Sequence, residues 1–178
     1  MPVDRNHLKD DLHRLVGERH PFSSPIRLQE AEAYLHRQFS ETGLTVTKQP
    51  FQALGDAYHN VIGTAIPDTG PFQSAPPLIV AAHFDTVQGS PGADDNASAL
   101  TVLLHVARQV RAMRLVKPIR FIAFNLEEEN LLGSSAYAAR LRKNREAIQG
   151  AIVLECVGYA SHQHNSQKIP PGVTWKSG

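Results

Sequence analysis

Between residues 83 and 155 the chain gathers an imidazole and several carboxylates at four points: His83-Phe84-Asp85, Asp94-Asp95, Glu127-Glu128-Glu129 and Glu155. One histidine with a group of acids is a donor set for a borderline-to-hard divalent cation such as zinc, cobalt or manganese. Each piece alone has a plainer reading. A histidine after a strand is a polar rim residue, an acidic pair ahead of a helix is a cap and dipole partner, and three glutamates in a row are a solvated loop. Glu155 resists such a reading, because an unpaired acid at the end of a buried strand is costly. Taken together, and all at strand ends, the four points select a metal site.

The elements that must position these groups follow from hydrophobic spacing. Leu8, Leu12, Leu15 and Val16 lie on one helical face. Ser24-Pro25 announces a second helix with Leu28, Ala31, Tyr34, Leu35 and Phe39 inward and Gly43 as its stop. From Leu44 the period shortens, so Leu44, Val46 and Phe51 predict a strand and His59 to Ile66 its partner. The apolar runs Leu78–Ala82, Ile119–Phe124 and Ala151–Leu154 then alternate with helical patterns over Leu100–Ala107 and Ser134–Leu141. The pattern predicts an α/β fold: a mixed, centrally parallel sheet with helices on both faces. Open sheets of this kind bind ligands beyond the carboxyl ends of their strands, which is where the acids and His83 fall.

Composition narrows the classes. With 178 residues, 18 Lys+Arg against 17 Asp+Glu and a net charge of +1, the chain lacks the basic stripe of a nucleic-acid binder. The single cysteine, Cys156, excludes an intrachain disulfide and a Cys-rich zinc module. The apolar run from Leu78 to His83 is too short to span a bilayer, so no membrane partner is expected. Met1-Pro2-Val3-Asp4-Arg5 lacks the apolar core of a signal peptide, so the expected location is cytoplasmic, or secreted or periplasmic if a leader has been removed. Of the other histidines, His7, His13, His20, His36 and His105 read as surface residues, His59 opens a strand without a partner, and His162 and His164 sit in a polar tail.

His83-Phe84-Asp85, Gly92-Ala93-Asp94-Asp95-Asn96-Ala97-Ser98, and Glu127-Glu128 followed by Leu131 and Gly133-Ser134 resemble the signatures of peptidase family twenty-eight. That family holds bacterial leucyl aminopeptidases, with glutamate carboxypeptidases and glutaminyl cyclases as relatives. The resemblance runs from about Ser24 to about Gly172 and implies a zinc-aminopeptidase, phosphorylase-hydrolase-like fold. It implies that His83, Asp95, Glu128 and Glu155 bind two zinc ions with Asp95 bridging. Glu127 would be the general base, and Asp85 would orient His83. Glu155 stands where many members have aspartate, and Leu154-Glu155-Cys156-Val157-Gly158-Tyr159 resembles a subgroup with glutamate there. A non-proline cis peptide is implied between Asp95 and Asn96. The implied reaction is metal-dependent hydrolysis of the peptide bond beside a free amino terminus, with two cations about 3.5–4 Å apart activating a water. The implied partner is a peptide substrate.

The family also carries a later histidine ligand, and this sequence stops at Gly178 before it. The expectation is therefore a single, incomplete domain over residues 1–178, its C-terminal part missing. It would hold one zinc in place of two, with a sheet edge that favours self-association. Two other readings stand beside the aminopeptidase: an inactive or fragmentary relative that binds metal or peptide without cleavage, and a glutaminyl-cyclase-like acyl transferase running on one zinc.

Overall fold

The computed structural model describes residues 3–161 and 163. Helix α1 covers Arg5–Leu15 and is capped by Asp4, whose carboxylate accepts the amides of Asn6 and His7 at 3.0 and 3.2 Å. Helix α2, Pro25–Glu41, begins on its proline and buries Leu28, Ala31, Leu35 and Phe39, one residue per turn of a single stripe. Ser24 precedes it without capping it. Its hydroxyl accepts the amide of His20 at 2.8 Å and so shapes the loop that enters the helix. Gly43, at φ +76°, then turns the chain out of α2.

Strands β1, Thr45–Ala53, and β2, Asp56–Ala65, form an antiparallel hairpin. Their two-residue turn, Leu54-Gly55, has positive φ at both positions, 52° and 88°, the type I′ requirement that matches strand twist. The sequence pattern had shown the two strands but not this turn. Strands β3 (Leu78–His83), β4 (Ile119–Phe124) and β5 (Gly150–Val153) complete a five-stranded sheet in the order β1-β2-β4-β3-β5. β2 pairs antiparallel with β4, whereas β3 pairs parallel with both β4 and β5. The sheet is thus mixed and parallel at its centre, as the alternation of strands and helices requires.

Alternate residues of the strands face opposite layers. Val61, Val80, Ala82, Phe121 and Ala123 pack beneath α1, α2 and helix α3, Ala99–Val110, whose Leu100, Leu103, Leu104 and Ala107 are fully buried. Ile62, Ile79, Ala81, Ile122 and Phe124 pack on the other face against Tyr137 of helix α4, Leu132–Asn144. No helix of the described residues is long and apolar enough to cross a membrane.

Two sequence expectations change here. Asp94-Asp95 do not cap a helix directly. They lie in a wide, kinked turn, Ala93–Ser98, in which Asp95 and Asn96 leave helical geometry, and the regular helix starts only at Ala99. β5 is apolar but not buried, with Ile152 and Val153 at 50% and 64% exposure. Among the described strands it pairs only with β3, so it is an edge strand, and a buried-strand argument for Glu155 does not apply.

Candidate metal centre

Register places the site. β3 runs parallel to β4 from Leu78↔Ile119 to His83↔Phe124, and to β5 from Leu78↔Gly150 to Ala81↔Val153. His83 therefore ends its strand beside the exit of β4 and level with the residues that follow β5. Its side chain is 3% exposed. Nε2 lies 3.0 Å from Asp95 Oδ1, 3.4 Å from Glu155 Oε1 and 3.8 Å from Glu127 Oε2. On the other side of the ring, Nδ1 lies 3.2 Å from the main-chain oxygen of Asp85 and 3.5 Å from its carboxylate.

Asp85 is fully buried and spends its carboxylate chiefly on backbone. One oxygen accepts the Glu127 amide at 2.9 Å and the other the Glu128 amide at 3.0 Å. It fastens the loop after β4 to the end of β3. In that loop Leu126, Asn130 and Leu131 all have φ between 53° and 63°, a region asparagine enters readily but leucine only when the surroundings enforce it.

Asn60 of β2 supplies the rest of that enforcement. It is fully buried, accepts the Asn125 amide at 3.0 Å, and donates to the Gly133 carbonyl at 2.8 Å and to Gln49 Oε1 at 3.1 Å. It thereby grips both ends of the loop carrying Glu127 and Glu128. Gly133 has no room for a side chain, since a Cβ would stand 2.1 Å from the Asn125 oxygen.

The Asp95 turn is held from the opposite side by Arg19. This arginine is 1% exposed, donates from Nε to the Phe84 carbonyl at 2.6 Å, and caps the carbonyls of Leu15, Gly17 and Gly92. Burial drives its pKa down to about 10, with the charges of Asp85 and Asp95 resisting that fall. The peptide between Asp95 and Asn96 is cis.

Electrostatics in the cluster are dominated by crowded acids. Burial disfavours the charged imidazole of His83. The hydrogen bond and charge of Asp85, with the charges of Glu155 and Glu127, outweigh it and raise the pKa from 6.5 to about 9. Glu127 and Glu128 sit above the usual carboxylate range through desolvation and the neighbouring acids, with His83 opposing. Among the described residues no lysine or arginine forms an ion pair with Asp95, Glu127, Glu128 or Glu155. A divalent cation fits this uncompensated set. Donor atoms of His83, Asp95 and Glu155, and those of His83, Glu127 and Glu128, lie within 4.8 Å of one another.

The structure thus brings His83, Asp85, Asp95, Glu127, Glu128 and Glu155 to one rim. His20 is not a surface residue. It is buried, accepts the Phe22 and Ser23 amides at Nδ1, and directs Nε2 to Glu129 at 3.4 Å. His59 lies 3.5 Å from Glu32, its partner. His162 and His164 lie outside the described residues. Type and spacing single out neither Arg19 nor Asn60, and Asn96 enters the sequence reading only through the family motif and the implied cis peptide, with no role for its side chain. For Asn60 the only signal is a polar residue heading an apolar strand.

The profile of Peptidase family M28 matches residues 60–175, from within β2 onward and including every residue of this rim. The chain belongs to peptidase family M28. The uncharacterized protein YfbL of Escherichia coli is 29% identical over 184 residues, covering 94% of this chain and 54% of that protein. Aminopeptidase YwaD of Bacillus subtilis is 50% identical over 64 residues, 36% of this chain and 14% of that protein. The chain thus spans about half the length, or less, of these relatives. Among solved structures, a Zn-dependent exopeptidase from Parabacteroides distasonis superposes with a TM-score of 0.67 at 21% identity, covering 86% of this chain and 60% of that one. Tannerella forsythia glutaminyl cyclase superposes at 0.70 and 21%, covering 89% and 63%. At these identities the structural likeness establishes the fold alone.

Proposed function

We propose that this M28 chain forms the catalytic core of a zinc-dependent exopeptidase that removes residues from the free amino terminus of peptides. The observation that carries the reading is His83, a buried imidazole whose Nε2 faces Asp95, Glu155 and Glu127 within 3.8 Å. His83, Asp95 and Glu155 would hold one cation, and Asp95 with Glu128 would reach a second. A bound divalent cation supplies Lewis acidity, polarising the scissile carbonyl and making a water acidic near neutral pH.

The chain's own residues do the rest. Glu127 accepts the attacking water's proton on its carboxylate and returns it to the leaving amine nitrogen. In the metal-free chain desolvation by burial raises Glu127 from its ordinary value, with His83 opposing. Asp85 fixes where that carboxylate stands by holding the Glu127 and Glu128 amides.

The test is hydrolysis of a panel of aminoacyl anilides by the full chain with and without added zinc, beside an assay for cyclisation of an amino-terminal glutaminyl peptide. Zinc-dependent release of the anilide chromophore supports the exopeptidase. Zinc binding without release from any member of the panel indicates a non-cleaving relative. Cyclisation alone indicates the acyl transferase.

A further inference from the structure

Glu155 has little of its own to hold it near His83. β5 ends at Val153, its last ladder bond is donated by the Leu154 amide to the Ala81 carbonyl at 2.8 Å, and Cys156 then turns away at φ +46°. The strand is four residues long, exposed, and paired on one side among the described residues. The Glu155 side chain is 47% exposed. A long, half-solvated carboxylate on such a segment would sample many rotamers, and ordering it costs entropy.

The segment is instead fastened by side chains of the turn that bears Asp95. Asn96 is fully buried and donates from Nδ2 to the Leu154 carbonyl and to Glu155 Oε2, both at 3.1 Å. Its Oδ1 accepts the Cys156 amide at 3.2 Å. Ser98 Oγ accepts the Val157 amide at 3.1 Å, and Asp94 Oδ1 accepts the Gly158 amide at 2.7 Å. Three side chains of one turn therefore bind four backbone groups between Leu154 and Gly158. The two Glu155 oxygens are divided: Oε2 is held by Asn96, and Oε1 faces His83 Nε2 at 3.4 Å, where the Cys156 thiol also reaches it.

We propose that Asn96 is the positioning residue for Glu155. By fixing Oε2 and the backbone on either side, it leaves Oε1 aimed at the point that His83 and Asp95 also face. Asp94 and Ser98 extend the same clamp, so the turn supplies one metal ligand through Asp95 and places another through its neighbours. The inference rests on the reading of this rim as a zinc centre.

The test is a double-mutant cycle in zinc affinity, measured on the full chain by competition with a chromogenic chelator. Asn96→Ala should weaken zinc binding by about 10–100-fold, the usual effect of removing a partner that orients a ligand. Glu155→Ala should weaken it at least as much. Asn96→Ala added to Glu155→Ala should cost nothing further, because its effect passes through that carboxylate. In the cobalt-loaded chain, Asn96→Ala should shift the visible absorption toward that of Glu155→Ala. Ser98→Ala should show a smaller loss that also vanishes with Glu155→Ala, and it decides the matter alone if Asn96→Ala does not fold. Losses that add, or variants that bind zinc like the wild type, overturn the proposal. A wild-type chain that binds no zinc overturns the metal centre itself, and the role of Asn96 with it.

Discussion

The Asp85 carboxylate accepts the amide of Glu128 at 3.0 Å, and its other oxygen accepts that of Glu127 at 2.9 Å. This buried acid thus ties the strand that ends in His83 to the loop that carries two further acids. Asp85→Asn would turn one acceptor into an NH2 group facing an amide N–H. The variant is expected to lose roughly 1–3 kcal/mol of stability from the unmet pair and about 10–100-fold in zinc affinity. Urea unfolding and chelator competition measure the two effects. A variant with wild-type zinc affinity would mean that Asp85 does not set the positions of these groups.

Asn60 acts on the same loop from β2. Asn60→Ala leaves the buried Asn125 amide and Gly133 carbonyl without their partner, an expected cost of roughly 2–4 kcal/mol. Gly133→Ala should be at least as harmful, because its Cβ meets the Asn125 oxygen at 2.1 Å. Denaturant midpoints for the two variants check this. A loss below about 1 kcal/mol for Asn60→Ala would show that the loop holds its shape without it.

The crowded acids make the metal-free chain pH-sensitive in a definite direction. His83, raised from 6.5 to about 9 in the folded state, stabilises the fold below pH 6.5, and that contribution fades as pH rises through about 9. Glu127 and Glu128 are also raised, so the folded chain prefers their protonated forms, and their contribution is lost as pH climbs above the ordinary carboxylate value of 4.5. All three slopes have the same sign. In chelator, melting temperature should therefore fall between pH 6.5 and 9, and His83→Gln should flatten that part of the curve. Zinc should stabilise more at pH 8 than at pH 6, because binding requires the neutral imidazole. Parallel curves for wild type and His83→Gln would refute the assignment to His83.

How the rim was legible, and where it was not, follows from the physics of register. A parallel sheet carries residues at equivalent strand ends to one edge, so His83, the acids after Phe124, and Glu155 could be brought together from strand positions alone. The premise for Glu155 nevertheless failed, since β5 is exposed and the residue stays in place through Asn96. Arg19 and Asn60 left no periodic trace because the bonds that tie them to this rim go to main-chain groups 65 to 73 residues away. Such bonds depend on tertiary proximity, which no local pattern encodes. The Leu54-Gly55 turn escaped for a different reason: leucine is a poor candidate for positive φ, and it is held there by the pairing of β1 with β2.

Glu127 and Glu128 are neighbours with different proposed duties, and glutamine separates them. Glu127→Gln keeps the shape but cannot take the water's proton. It should lower turnover by about 10²–10⁴-fold with zinc content unchanged. Glu128→Gln should instead lower zinc content. Elemental analysis after dialysis, beside anilide turnover, reads both. Equal loss of zinc and turnover in Glu127→Gln would mean that the two duties are exchanged.

Both donor groups of the rim make use of His83, and this limits how evenly two cations can be held. Nδ1 faces the main-chain oxygen and carboxylate of Asp85, so Nε2 is the nitrogen that faces the cluster, and one nitrogen serves one cation. Nε2 is nearer to Asp95 and Glu155, at 3.0 and 3.4 Å, than to Glu127 at 3.8 Å. The first zinc is therefore expected at His83, Asp95 and Glu155, an imidazole with two carboxylates. A second would draw on carboxylates alone among the described residues and would feel the charge of the first. It should bind more weakly by at least about tenfold, the low end of what losing even a supporting contact costs. Calorimetric titration of the metal-stripped chain should resolve a tight and a weak step, with Glu155→Gln affecting the tight step and Glu128→Gln the weak one. Two steps of equal affinity, or a tight step untouched by Glu155→Gln, would assign the imidazole to the other group.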